Sequence, residues 1–349
     1  MKKVLSLVLA CLMVLSVLPA AALADGDSVT VYNWEEYISP DAIKLFEQET
    51  GITVNMTYFT TNEDMMVQVR NSPSSFDVVI PSDYCVERLA SEGLLEEINL
   101  DNVPNYQNID KNFKGQYYDP DEKYTVPYMW GTVGICYNKT MVDEPVTSWS
   151  ILFDDKYKDN VFMLDSIRDS MGVALKYLGY SMNTRDPLEM NAAKELLIDQ
   201  KKRGIVKAYQ VDETKDKMVA GEAALALMWN GDAMYAISLN EDLDYAIPEE
   251  GSNIWVDTMV IPKGAKNKEN AEKFIDFMCR PDVAKMNFDE IWYSTPNTET
   301  VQLIGDEYIS NHVINPDQTA IDRCEFFHDI EDNYLLAYNT MWTAIKSAK

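Results

Sequence analysis

The stretch VTVYNWEEYISPDAIKLFEQETGITVNMTYF, Val29 to Phe59, changes its periodicity twice. Val29 and Val31 alternate with Thr30 and Tyr32, the period-two pattern of a strand. Ser39 is a residue type that caps helices, and Pro40 suits the first helical position, where the missing N–H would have no partner anyway. Ile43, Leu45 and Phe46 then supply an apolar face, and Gly51 stops the helix. A second strand is expected over 52–58. The alternation continues with a helix over 62–71 carried by Met65, Met66 and Val69, a short buried strand over 76–80, and a helix starting near Ser82 or Asp83. This βαβαβα order implies an α/β fold whose mainly parallel sheet is covered on both faces.

Upstream, Lys2 and Lys3 precede the apolar run Val4 to Leu18, and Ala22-Leu23-Ala24 has the small–x–small form of a leader-peptidase site. Residues 1–24 therefore read as a signal peptide, too short and too early for a membrane anchor. Cys11 raises lipidation, but apolar residues rather than a polar mature start follow it. An extracytoplasmic, soluble bacterial protein is expected, in the periplasm or on the surface of a Gram-positive cell. About 325 of the 349 residues remain after cleavage, which suits two domains. Loss of the two leader lysines takes the formal charge from −27 to −29. Such a field disfavours nucleic acid and anionic lipid and draws in cations, although solubility alone also accounts for it. Cys85, Cys136, Cys279 and Cys324 are scattered, and read either as isolated thiols or as containing one disulfide.

A loop-rich stretch at 99–125 interrupts the pattern. Beyond it, strands are expected over 133–137, 161–164, 223–229, 243–247 and 254–261. Helices are expected over 170–178, 188–202 and 215–220, with another opening at Gly231-Asp232, where Gly231 would let the backbone turn, and a long one from about Ile330. No internal repeat is visible, so crossings between two domains would be short and lie within the chain.

Little of the sequence points to catalysis. Only His312 and His328 are present, far apart, and HExxH, GxSxG, Walker and GxGxxG motifs are absent. A glycosidase needs only two carboxylates, but among 57 acidic residues pairs arise by chance. What recurs is an aromatic ring beside an acid or hydroxyl at a strand end: Trp34-Glu35-Glu36-Tyr37, Pro81-Ser82-Asp83-Tyr84, Trp229-Asn230-Gly231-Asp232, and Trp292-Tyr293 before Ser294-Thr295-Pro296-Asn297. Trp255 and Asp257 share one strand face by their two-residue spacing. Open α/β sheets bind ligands where strands end. Rings with carboxylates suit an organic cation, through cation–π attraction of about 0.5–2 kcal/mol each and charge-assisted hydrogen bonds of roughly 1.5–3 kcal/mol each. Sugar binders use the same residue types, so the pattern leaves amine and sugar both open.

Seven segments, taken in this order and spacing, resemble one family: VYNWEEYISP (31–40), FDVVIPSDYCVERL (76–89), VPYMWGTVGICYN (126–138), LALMWNGDA (225–233), IWVDTMVIPKGAKN (254–267), CRPDVA (279–284) and YSTPN (293–297). Over essentially the whole mature chain the sequence is similar to the extracytoplasmic spermidine/putrescine-binding proteins of ABC transporters. The resemblance implies a bilobal type II periplasmic binding protein fold with two discontinuous lobes, each around a mainly parallel sheet, and a polyamine held in the interlobe cleft for delivery to a membrane permease. Lobe 1 is expected to comprise residues 26–134 plus 257–299, and lobe 2 residues 135–256 plus 300–349. The ligand positions carry over to Trp34, Glu36, Tyr37, Ser82 and Tyr84, to Trp229, Trp255, Asp257 and Tyr293 as aromatic box and main ammonium anchor, and to Asp169 and Asp232. No enzyme activity, cofactor or metal is implied, and a monomer is expected.

Two departures bear on the ligand. On Asp165-Ser166-Ile167-Arg168-Asp169, Asp169 matches one of a pair of acids found in spermidine binders, while Ser166 replaces the other. Phe326-Phe327 stands where such proteins can offer a glutamine. With Asp232, where putrescine-preferring members place an acid, these tilt the expectation toward a diamine. The alternatives are a secreted carboxylate-dependent hydrolase of glycosidase type, or a binding protein for another small solute such as a sugar or amino acid.

Overall fold

The computed structural model describes residues 27–349, so the expected leader with Cys11 and its cleavage site lies outside the described residues. The opening stretch folds as read. β1 (Ser28–Trp34) pairs in parallel with β2 (Thr53–Phe59) on one side and β3 (Val78–Val79) on the other. Val29 and Val31 face one core cluster and Tyr32 the opposite one, as a sheet covered on both sides requires. α1 (Pro40–Thr50) starts after Ser39 and ends where Gly51 adopts a left-handed φ of 73° and bonds back to Glu47. The Ser39 hydroxyl makes no capping bond; its backbone N–H instead donates to Asn287 Oδ1 at 2.9 Å. α2 (Asn62–Asn71) and α3 (Asp83–Ser91) follow. β3 is shorter than the expected 76–80, yet Asp77 and Ile80 N–H groups still bond to Thr30 and Tyr32 carbonyls beside it.

The loop-rich stretch consists of short 3-10 turns and the two-residue β4 (Leu95–Glu96). β5 (Val126–Asn138) then runs thirteen residues, longer than the expected 133–137. Alternation could not reveal the added half, because every residue of it is buried. Its first half lies antiparallel to β10 (Ile254–Met259), and its second half antiparallel to β8 (Leu225–Trp229) and β9 (Leu243–Ala246). The register with β10 shifts between Asp257 and Thr258, opposite Pro127 to Met129, a bulge that accommodates the proline. β6 (Val161–Leu164) joins β8 and β7 (Val206–Gln210) in parallel. β7 escaped the sequence reading because it is a short, half-exposed edge with only Val206, Ala208 and Tyr209 to mark it. β11 (Ile261–Pro262) pairs with β4.

The remaining helices are α4 (Ile167–Tyr177), α5 (Pro187–Lys202), α6 (Glu213–Val219), α7 (Asn230–Leu239), α8 (Lys268–Met278), α9 (Pro281–Ile291), α10 (Thr298–Ile304), α11 (Asp306–Ile309), α12 (Gln318–Ile321) and α13 (Asp332–Ser347). α4 starts three residues before the expected Ser170, which brings Asp169 into its first turn. Gly231 does not serve a turn. It lies inside α7 without a positive φ, and a Cβ there would fall 2.4 Å from the Tyr293 ring, so glycine is needed for ring clearance.

One large core cluster draws on residues from Val29 to Met129 and from Trp255 to Tyr293, another on residues from Val133 to Leu227 and from Phe327 to Ile345. Trp229 packs partly against both. Cys85, Cys136 and Cys279 are buried free thiols, and Cys324 is a partly buried one. Among the described residues no helix is long and apolar enough to cross a membrane.

Candidate functional site

Among the helices that begin at one cavity of about 430 Å³ are α3 after Ser82, α4 after Ser166 and α7 after Trp229. Each carries an aspartate in its first turn, Asp83, Asp169 and Asp232, where the helix dipole favours negative charge. Neither serine hydroxyl caps its helix. Ser82 Oγ donates to Asp257 Oδ1 at 2.6 Å, and Ser166 Oγ to Asp169 Oδ2 at 2.6 Å. The β1 end supplies Trp34, Glu36 and Tyr37 to the wall, β10 supplies Trp255 and Asp257, and the segment after α9 supplies Tyr293. All eleven residues singled out in the sequence, Tyr84 among them, thus line the same cavity.

The rings form a continuous wall. Tyr37 stands edge-on to Tyr128 at 5.6 Å and to Tyr293 at 5.4 Å, and Tyr293 is edge-on to Trp255 at 5.4 Å. Trp34 packs on Phe59 at 4.6 Å and donates its indole N–H to the Ile80 carbonyl at 3.0 Å. Gly131 lets Trp255 approach the sheet, since a Cβ there would lie 2.5 Å from Trp255 Cζ2.

Asp257 is 5 % exposed, and burial pushes its carboxyl up to about 7, against the pull of Ser82 and Tyr37. Among the described residues no lysine, arginine or histidine forms an ion pair with it. Asn62 fixes the Ser82 rotamer by donating from Nδ2 to Oγ at 3.0 Å. The Tyr37 hydroxyl adjoins Asp257, yet neither it nor the buried Trp255 indole N–H has a well-formed partner within the chain. Asp83 is spent on structure, accepting the Val256 N–H at 3.1 Å and its own neighbour's, Tyr84, at 2.7 Å. Burial also pushes Asp169 and Asp232 up to about 6; Ser166 and Arg168 oppose the rise at Asp169, and Lys215 opposes it at Asp232. Burial thus raises three of the carboxyls that line the cavity, and of these Asp257 alone has no cation of the protein acting on it.

Several lining residues were not foreseen: Glu63, Arg168, Asp212, Lys215 and Trp342. Tyr84 donates to Glu63 Oε1 at 3.1 Å, and the Arg168 guanidinium lies 5.2 Å from the Tyr84 ring and 4.4 Å from Phe327. Asp212 and Lys215 follow β7, so missing that strand hid the wall it leads into. Of the pair at 326–327, Phe327 lines the cavity and Phe326 does not. Asn230, Ser294, Thr295 and Asn297, from the strand-end clusters, do not line it either. Asn230 instead ties Thr132 N–H (3.2 Å), Ser294 Oγ (3.1 Å) and the Val313 carbonyl (3.2 Å) together behind the wall.

A ring-lined cleft with buried acids between two cores is the architecture of a solute-binding protein. The chain belongs to the bacterial extracellular solute-binding protein family, whose profile matches residues 41–316; the family places it outside the cytoplasm and among solute binders. It is 36% identical to the spermidine/putrescine-binding periplasmic protein of Salmonella typhimurium, with 90% of each chain covered, and 36% identical to that of Escherichia coli K12, with 89% of each covered. With the putrescine-binding periplasmic protein of Pseudomonas aeruginosa it shares 31% identity over 96% of each chain. A solved structure from Listeria monocytogenes superposes with a TM-score of 0.89 at 38% identity, covering 93% of this chain and all of that one. The spermidine/putrescine transporter substrate-binding protein of Streptococcus pneumoniae superposes with a TM-score of 0.80 at 33% identity, covering 92% and 98%. The bilobal α/β fold expected from the sequence is thus the fold of its relatives.

Proposed function

We propose that the protein captures a polyamine in the cleft between its lobes and hands it to an ABC permease. The observation that carries this reading is Asp257, a buried carboxylate with no cation of its own, set among the rings of Tyr37, Trp255 and Tyr293. An unpaired buried charge is costly, and a ligand ammonium removes that cost while the rings cover its methylenes. The eleven residues from Trp34 to Tyr293 are the proposed ligand contacts, with Asp257 taking one ammonium and Asp232 facing a second. Their shared cavity supports this, as do the names of the relatives.

The lobes are proposed to comprise 26–134 plus 257–299 and 135–256 plus 300–349, a division that the two main cores follow except at Val133 and Trp255. Contacts from both sides would then favour the closed form, since only differential affinity shifts such an equilibrium. Residues 1–24 are proposed as the export signal, and the receptor is proposed to act as a monomer without catalysing a reaction or binding nucleic acid. Ser166 and Phe327 at the cleft favour a diamine over a triamine, because neither can neutralise a further ammonium. Titration calorimetry with putrescine and spermidine, alongside turnover assays on glycosides and competition by sugars and amino acids, tests the reading. Amine binding without turnover supports it; hydrolysis or sugar binding without amine binding overturns it.

A further inference from the structure

Lys215, on α6, reaches across the cleft. Its Nζ lies 2.8 Å from Glu36 Oε2, on the β1 side, and 5.5 Å from the centroid of the Tyr235 ring. The lysine side chain is 18 % exposed and lines the cavity, while its partner Glu36 is 75 % exposed, so the pair lies at the cavity's outer end. Asp232 and Asp212 are the other charged groups that act on it; with Glu36 they outweigh burial and keep it protonated. Glu36 itself holds a left-handed φ of 50°, a backbone conformation that side chains other than glycine seldom adopt, and presents its carboxylate to the opposite side. A lysine ammonium on its four-carbon stem, ringed by carboxylates and beside an aromatic face, has the chemistry of one end of a polyamine.

We propose that Lys215 is a specificity-determining residue: it fills the Glu36–Asp212–Asp232 end of the cleft with an ammonium from the protein itself and so matches the remaining acids to an amine of fewer charges. This rests on the amine-binding reading above and deepens it. Asp232 then serves two cations, Lys215 from one side and a ligand amine from the other, whereas Asp257 serves the ligand alone. A triamine would have to bring its further ammonium into a field that Lys215 has already reduced by one charge, and like-charge repulsion would oppose it. A diamine meets that repulsion only at the shared Asp232.

The test compares Lys215→Met, which keeps length and removes charge, with Lys215→Arg, which keeps charge. Putrescine and spermidine are titrated into wild type and both variants at one pH and salt. Lys215→Met is expected to raise spermidine affinity relative to putrescine at least tenfold, and Lys215→Arg to hold the wild-type ratio within about threefold, as a charge effect requires and a packing effect does not. Should the Met variant not fold, Lys215→Gln serves in its place. A ratio unmoved by loss of the charge, or shifted equally by both variants, overturns the inference. That outcome is distinct from failure of the amine reading, in which the wild-type protein binds neither amine.

Discussion

Lowering the pH from 8 to 6 should weaken amine binding about tenfold through Asp257 alone. Its carboxyl titrates near 7 because the cleft desolvates it. The ligand needs the ionised form, so binding must first remove the proton. At pH 8 a group with that pKa is about nine-tenths ionised, and at pH 6 about one-tenth, which sets the factor of roughly ten. Asp169 and Asp232, titrating near 6, are each about half protonated at pH 6 and add up to about twofold apiece if they touch the ligand. The same shift acts on stability with the opposite sign. Because the folded carboxyl holds its proton to about 7 while the unfolded one releases it near the usual carboxylate value, the folded state binds more protons in that window. The ligand-free protein should therefore become more stable as pH falls from 8 toward 5, gaining roughly 2–3 kcal/mol from this group. Calorimetric titration with putrescine at pH 6, 7 and 8, at fixed ionic strength and in buffers of different ionisation enthalpy, reads both the affinity and the proton released on binding. Asp257→Asn should lower affinity for every polyamine by on the order of 2 kcal/mol at pH 8, about thirtyfold, and remove the largest part of the pH dependence. Equal affinity at pH 6 and 8, or an Asn variant that keeps the full dependence, would refute the reasoning.

Trp255→Ala should cost more affinity than Trp130→Ala and should reduce the tryptophan fluorescence change on binding, because Trp255 lines the cleft while Trp130 packs on Phe113 at 5.4 Å outside it; the reverse order with both variants folded would displace the site. Asp232→Ser should lower putrescine affinity more than spermidine affinity, read from paired titrations, and a larger loss for spermidine would place the second ammonium elsewhere. Ser166→Asp should improve spermidine relative to putrescine, since a second carboxylate beside Asp169 creates a like-charge pair that a further ammonium relieves; an unchanged ratio would sink the diamine argument.

The first βαβ unit was legible because its residues face different solvents at a regular period: Val29 and Val31 lie inward, and Pro40 and Gly51 mark the helix ends. The same legibility extended to the cleft wherever a ring and an acid adjoin in sequence, as at Trp34 to Tyr37 or Trp255 to Asp257. It failed for different physical reasons elsewhere. The first half of β5 is buried on both faces and so has no alternation, while β7 is a half-buried edge whose alternation, Val206 and Ala208 about Lys207, is too brief to stand out. Lys215 and Arg168 are cations in an acidic site, visible as such only when the chain brings α6 and α4 to the same wall. Gly231 was expected to let the backbone turn, whereas its need comes from ring clearance at Tyr293, a residue far along the chain. Ser82 and Ser166 occupy cap positions, yet their hydroxyls are committed to Asp257 and Asp169, a competition between helix end and site that sequence spacing alone does not reveal.

β5 belongs to two ladders at once, holding β10 along its first half and β8 and β9 along its second. A ribbon held by hydrogen bonds along both halves cannot slide against either partner without breaking a ladder, so it fixes how the two cores meet. Asp257 pairs with Met129 within the first ladder, where the β10 register shifts, and Thr132 to Val133 is where that ladder gives way to the second. The carboxylate that lacks a cation is thus carried by a strand of the first ladder, while Asp232 opens the helix that follows β8 of the second. The two acids face one cavity from opposite halves of a single ribbon, so the twist of that ribbon sets the spacing at which they meet a solute.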